Sequence, residues 1–292
     1  MTAAVPDLRA TLGATEIARD VVRVAGPDAV AYLQGQLSQD VEDLDVSSTG
    51  WSFLLQPTGK VDAWLRVTRT ASDEMVLDTD AGHRDAVLAR LRRFLLRTKA
   101  EIDPLDWKAV ALRGPGAVAA AGEAPAALRV PAGWPGVEGA DLLGPDVMVP
   151  DGLATVGLDA YESLRIRAGV PALGAELTDA TIPAEAGQWV IDESVDFTKG
   201  CFTGQELVAR IDSRGGNVPR PVRGVDLPGE AAPAVGAAVT VDGAEVGRLT
   251  SVAPRPGGGH VGLAVVGRAV VPPVPARVGE ADATIVELPF GD

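Results

Sequence analysis

Beyond Pro219-Arg220-Pro221 the chain changes character, and that change limits its fold more than any other feature. From Val222 onward, valine-rich runs at 222–227, 237–241, 245–252, 261–266 and 283–288 are separated by Gly, Pro or Asp turns. Short runs punctuated in this way predict a small β-barrel or sandwich over 222–292. Ahead of that boundary the patterns mix. Residues 21–25 read as a strand closed by Gly26, after which Pro27 suits a first helical position and Val30, Leu33 and Leu37 make an apolar helix face. Residues 51–56 read as a strand, Pro57-Thr58-Gly59-Lys60 as a turn, and Val61, Ala63, Leu65 and Val67 as a second strand, with a third at 75–77. A helix over 82–97 follows, with Val87, Leu88, Leu91 and Leu95 inside and Arg84, Arg92, Arg93 and Arg97 on a solvated face.

Helices interspersed with hairpins predict an α+β layered fold, not a doubly wound sheet, and no Gly-x-Gly-x-x-Gly follows a strand to mark a dinucleotide site. Residues 114–154, rich in Gly, Ala and Pro, read as an irregular insertion or inter-domain edge. At 292 residues the chain is long enough for two or three domains and needs no disulfide to fold. Its 34 glycines and 22 prolines agree with many turns and short strands.

The chain has 26 basic and 40 acidic residues, a net charge of −14, so nucleic acid could be met only through a local basic patch. One cysteine and two histidines (His83, His260) cannot build a closed zinc site or hold an iron–sulfur cluster within one chain, and no tightly bound metal is expected. The N-terminal segment MTAAVPDLRATLGATEIARD lacks a signal-peptide core, and the apolar stretch 261–278 is broken by Arg268 and three prolines. A cytoplasmic protein without membrane contact is expected.

The densest cluster of unusual residues is Thr198-Lys199-Gly200-Cys201-Phe202-Thr203-Gly204-Gln205-Glu206, running into Leu207-Val208-Ala209-Arg210 as a short helix from about Gly204. Cys201 thus lies just ahead of a helix N-terminus and two residues after Lys199, both of which favour a thiolate. Gly200 and Gly204 allow positive φ or close approach. Read from spacing alone, Cys201 is either this reactive thiol or an inert buried hydrophobe.

Lys199-Gly200-Cys201-Phe202-Thr203-Gly204-Gln205-Glu206 resembles the signature of the YgfZ family, relatives of the mitochondrial iron–sulfur assembly factor IBA57. Tyr32-Leu33-Gln34-Gly35-Gln36-Leu37-Ser38-Gln39-Asp40-Val41 resembles that family's N-terminal helix, Pro57-Thr58-Gly59-Lys60 its Gly-Lys turn, and Ile182-Pro183 the segment before its cysteine loop. The resemblance implies the fold of the glycine-cleavage T-protein, an aminomethyltransferase. That fold has two ferredoxin-like α+β domains, the first discontinuous, and a C-terminal β-barrel around a central channel. On this chain the folate-binding domain would be 1–46 with 155–221, the second domain 47–154 and the barrel 222–292.

Two departures separate this chain from the aminomethyltransferases it resembles. Arg167, in Leu164-Arg165-Ile166-Arg167-Ala168-Gly169, stands where those enzymes carry a pterin-binding Glu, and Ala63-Trp64 stands where they carry an Asp pair. Arg167 offers no acceptor for pterin N–H groups, and the missing Asp removes a proton-transfer group, so aminomethyl transfer is not expected. Asp62, one position earlier, would point away in a strand. The resemblance implies tetrahydrofolate or a derivative as cofactor, with Tyr161 beside the folate and Arg165 or Arg167 pairing with its carboxylates; alternatively Tyr161 packs and the arginines are solvated. Arg19 stands where the resemblance implies a second aromatic, near the N-terminal strand.

Lys199, Arg210, Arg214, Arg220 and Arg223, against Glu206 and Asp212, predict an anion-attracting rim, joined by Arg165 and Arg167 if the fold brings them near. The expected function is that of a folate-binding accessory protein for iron–sulfur cluster assembly or repair. Cys201 is its thiol, tuned by Lys199, and Gly200, Phe202, Gly204, Gln205, Glu206 and Arg210 shape the loop. Its partners would be iron–sulfur assembly proteins or client enzymes. The alternative is a folate-dependent one-carbon transferase or tRNA-modification factor.

Overall fold

The computed structural model describes residues 5–213 and 215–291. In chain order its strands are β1 (Gly13–Ile17), β2 (Arg19–Ala25), β3 (Thr49–Leu55), β4 (Val61–Ala71), β5 (Glu74–Asp80), β6 (Glu101–Leu105), β7 (Lys108–Arg113), β8 (Leu128–Pro131), β9 (Gly139–Gly144), β10 (Val222–Leu227), β11 (Ala238–Val241), β12 (Ala244–Pro254), β13 (His260–Val266), β14 (Val274–Val278) and β15 (Ala281–Val286). The helices are α1 (Ala29–Gln36), α2 (Arg84–Arg93), α3 (Ala117–Glu123), α4 (Leu158–Arg167), α5 (Gln188–Ser194) and α6 (Gln205–Asp212), with a single tight turn of helix at Pro183–Ala186. No helix among the described residues is long and apolar enough to cross a membrane.

Contacts divide the chain into two units. One takes in the chain up to Ile17, Ala109–Pro171 and everything from Pro219; the other takes in Ala18–Lys108 and Ala172–Val218. These units are cut after Ile17, Lys108, Pro171 and Val218, so β2 is grouped apart from β1. Strand β2 pairs with β5 along its whole length and with β6 on its other edge, inside the sheet ordered β3-β4-β5-β2-β6. Val21, Val22 and Val24 are buried there with Leu65, Val67, Met75 and Leu77. Strand β6 tolerates Pro104 because it is an edge strand with a neighbour on one side only. Directly opposite one another on β4 and β5, Arg66 and Asp78 form a fully buried ion pair at 2.6 Å, and Arg19 reaches the same carboxylate at 2.7 Å. Helix α2 stops at Arg93, four residues short of expectation, so Leu95 lies beyond it.

The other unit holds a sheet ordered β1-β7-β9-β8 and a closed barrel ordered β10-β13-β12-β11-β14-β15. The Gly, Ala and Pro-rich segment read as irregular supplies α3, β8 and β9. Small residues make this layer dense: Ala14, Ala117, Ala121, Ala124 and Ala140 pack with Val110, Leu112 and Leu142. Gly139 lets β9 close on β7, since a Cβ there would sit 2.7 Å from Cδ of Arg113. The valine runs build the barrel as expected, around Val225, Val239, Leu249, Val266 and Ile285. Strand β14 carries Pro275 and follows Pro272 and Pro273, which disguise it in the sequence. Pro275 lies beyond the short stretch where β14 meets β11 at Arg277 and Val278, so its missing N–H costs no bond on that side.

Candidate functional site: an exposed cysteine on a braced loop

Cys201 is exposed, not buried. Its loop begins with a turn made by Asp196, whose Oδ1 accepts from the Thr198 N–H at 2.6 Å, the Thr198 hydroxyl at 2.7 Å and the Lys199 N–H at 3.1 Å. The Asp196 N–H in turn donates to the Ser38 carbonyl at 3.0 Å. The loop ends at Gly204, left-handed at φ 84°, which starts α6. There Gln205 Oε1 accepts from the Phe202 N–H at 3.1 Å, and the Thr203 N–H donates to the Gly35 carbonyl at 3.1 Å.

Lys199 is the brace. Its ammonium donates to the carbonyls of Gln34 at 2.8 Å, Leu37 at 2.8 Å and Gln39 at 2.7 Å, and lies 5.4 Å from the centre of the Phe202 ring. A helix leaves its last carbonyls unpaired and carries a partial negative charge there, so a lysine is well suited to close α1. Burial pushes this ammonium down to about 8, against the pull of Asp40, Asp196 and Glu42. All three N–H bonds of Lys199 go to backbone oxygens. The group read as a tuner of the thiol is spent on fixing the loop to α1.

The Pro57–Lys60 turn backs the same loop. Gly59 is left-handed at φ 81°, and a Cβ added to Gly204 would stand 2.5 Å from the Gln56 carbonyl oxygen. Gly200 is different from Gly204: its φ is not left-handed and a Cβ would enter open space, so its expected shaping role is not seen in the backbone. Glu206 and Arg210 are exposed on α6, and no bond from Glu206 across the loop is found among the described residues. Sequence reading missed Asp196, although an Asp two residues before Thr198 is the pattern of a side-chain-closed turn. It also missed Arg90, which donates to Gln36 Oε1 at 3.0 Å, to the Leu55 carbonyl at 2.9 Å and to Asp62 at 3.1 Å. Burial raises the Asp62 carboxyl above its usual value, against Arg90.

The residues expected to hold a folate are placed in the other unit and are occupied. Arg165 donates to Glu162 at 2.9 Å, to the Val170 carbonyl at 2.7 Å and to Ser251 Oγ at 2.9 Å, tying α4 to β12. Arg167 pairs with Asp7 at 2.8 Å. Tyr161 packs against Trp134 with ring centres 5.2 Å apart, and the buried Arg113 guanidinium lies 4.3 Å from the Trp134 ring and 5.3 Å from the Tyr161 ring. Committed side chains of this kind do not fit a cradle for pterin N–H groups or glutamate carboxylates. The basic residues expected to form a rim are divided between the units. Lys199 and Arg210 belong to one unit and Arg220, Arg223, Arg165 and Arg167 to the other, while Arg214 lies outside the described residues. Arg19 is bound by Asp78 and Asp80.

The position of the missing Asp pair is filled by core. Ala63 and Trp64 are buried, Trp64 stacks on Trp51 at 3.9 Å, meets Trp189 edge-on at 6.2 Å and donates to Ser194 Oγ at 2.9 Å. No group of three or more His, Cys, Asp and Glu among the described residues is placed to hold a metal ion.

Residues 10–125 match the GCVT N-terminal domain family. The solved aminomethyltransferase T of the glycine cleavage system from Bartonella henselae superimposes with a TM-score of 0.78 at 23% identity, covering 97% of this chain and 87% of that one. The fold is therefore that of the aminomethyltransferase-like proteins. A tRNA-modifying protein YgfZ of Pectobacterium carotovorum is 31% identical over 239 residues, covering 73% of this chain and 70% of that protein. An iron–sulfur cluster assembly factor IBA57 homolog of Pyricularia oryzae is 29% identical over 220 residues, covering 70% and 55%. The chain belongs to the YgfZ/IBA57-like family of this group.

Proposed function

We propose that this protein is a folate-binding accessory factor for iron–sulfur cluster assembly or repair, working through the Cys201 thiol. The observation that carries the reading is the exposed Cys201 on a loop braced by Lys199, Thr203 and Gln205. An accessible thiol at a fixed position can offer one sulfur ligand to a cluster or to a partner, and a single cysteine per chain makes that contact shared or transient. The cluster is cargo; its other ligands belong to the partner. The names of the YgfZ and IBA57 relatives support this class of work, and the first of them keeps a tRNA-modification role as the second reading.

Folate enters through the family, and Tyr161, Arg165 and Arg167 are not assigned to it. Aminomethyl transfer is not part of the reading, because the chain has tryptophan stacking where that chemistry needs a carboxylate. The test is complementation of a deletion strain with Cys201→Ala. The variant should accumulate as folded protein and fail to restore iron–sulfur enzyme activity; full restoration would remove the thiol from the account. A calorimetric titration with tetrahydrofolate tests the cofactor separately, and no heat would remove folate.

A further inference from the structure

Residues 90–99 carry Arg90, Arg92, Arg93, Arg97 and Lys99 with no acidic residue, in a chain of net charge −14. Where α2 ends, the chain leaves two large apolar side chains in water: Phe94 is 38% exposed and Leu96 83% exposed. Arg97, left-handed at φ 60°, is exposed just beyond them. The Arg90 guanidinium lies 4.2 Å from the Phe94 ring centre and that of Arg93 5.9 Å. Arg92 is anchored to the Ile102 carbonyl, and among the described residues no carboxylate pairs with the side chains of Arg93, Arg97 or Lys99. An exposed aromatic and aliphatic pair framed by arginines has the make-up of an interface hot spot.

We propose that this patch docks an acidic polypeptide, one that presents an apolar side chain flanked by carboxylates. Charge complementarity selects an acidic partner. The apolar content selects a polypeptide over a nucleic acid. Leu96 has nothing to meet on a phosphate backbone, and Arg90 already covers one face of Phe94, so the patch offers a base a single ring face and no second aromatic to continue a stack.

The patch is joined to the cysteine loop through Arg90. This arginine holds Gln36 and the Leu55 carbonyl, while the neighbouring Gly35 accepts from Thr203 and the Leu55 Cβ stands 2.8 Å from where a Cβ on Gly204 would lie. A partner seated on Phe94 and Leu96 is thereby held beside the loop that carries Cys201; this last step rests on Cys201 being the working thiol, and the docking itself does not.

The experiment uses the full chain and a fluorescein-labelled peptide of leucines interleaved with glutamates, read by anisotropy. Saturable binding is expected, weakened at least about tenfold by Arg93→Glu with Arg97→Glu, by Leu96→Ser alone, and by glutamine in place of the peptide's glutamates. Arg248→Glu, on the exposed barrel surface, should change nothing. No saturable binding, or equal binding by the double variant, overturns the proposal. So does labelled tRNA that binds the wild type and is lost in the double variant while the peptide is unaffected. Docking that depends on the patch in a protein whose Cys201→Ala form still supports the cell would keep this proposal and remove the thiol reading; the reverse pattern would do the opposite.

Discussion

The backbones of Gly59 and Gly204 are in direct contact. A Cβ on Gly204 would fall 3.2 Å from the Gly59 Cα, and a Cβ on Gly59 would fall 3.0 Å from the Gly204 oxygen and 2.5 Å from the Leu207 Cβ. Both residues are left-handed, so each position excludes a side chain by conformation and by space. This contact joins two sequence motifs that lie far apart in the chain, the Gly-Lys turn and the cysteine loop.

Gly204→Ala should therefore cost about 2–4 kcal/mol, combining left-handed strain with overpacking against backbone. Gly200→Ala, with open space around it, should stay within about 0.5 kcal/mol. Urea denaturation of the two variants checks this; equal effects would mean that the turn does not back the loop.

Lys199 gives a pH signature. Its folded-state value is about 8 and its ordinary value 10.5, lowered chiefly by burial. Between those two pH values the unfolded chain binds more protons than the folded one, so the Lys199 contribution makes stability rise with pH across that window. Lys199→Met carries no proton and should lack the rise, while losing the three carbonyl bonds at a cost of about 1–3 kcal/mol. Denaturation midpoints of both proteins across this window measure the difference; parallel profiles would contradict it.

Trp64→Asp restores a carboxylate near the place where aminomethyltransferases have one. It should not restore transfer. Burying an unpaired charge among Trp51, Phe53 and Trp189 should cost at least about 3 kcal/mol and leave little folded protein. Soluble yield and thermal unfolding check the outcome, and a stable variant would show that the tryptophan cluster is less tightly packed than described.

Arg167→Gln separates the structural reading of α4 from the ligand reading. Burial alone would raise the Asp7 carboxyl, but the Arg167 hydrogen bond, the Arg9 backbone N–H and both guanidinium charges hold it below its usual value. That contribution is present above about pH 4 and fades as Asp7 is protonated. The pair is partly exposed, so the substitution should cost less than about 1 kcal/mol near neutrality and nothing in acid. Tetrahydrofolate heats should be the same for both proteins; a loss confined to the variant would return Arg167 to the ligand.

The barrel was legible because each valine run ends on a turn residue, and β14 escaped because Pro273 and Pro275 look like a break until its pairing is known. The segment 114–154 looked irregular because alanine packing leaves no hydrophobic periodicity, only small side chains that need a sheet to define them. At the site, Cys201 and Gly204 could be found from the motif, since a cysteine before a helix start and a left-handed glycine are local features. The work of Lys199 could not, because its three acceptors lie about 160 residues away in sequence. The same holds for Arg165 on α4, whose partner Ser251 lies 86 residues further on, in the barrel strand β12.

Alkylation of Cys201 tests the central claim most directly. Purified protein treated with iodoacetamide under native conditions should take up one label per chain at Cys201 without denaturant. Added to an extract of the deletion strain, it should no longer restore iron–sulfur enzyme activity that the untreated protein restores. A thiol that reacts only after unfolding, or labelled protein that restores activity in full, would contradict the account.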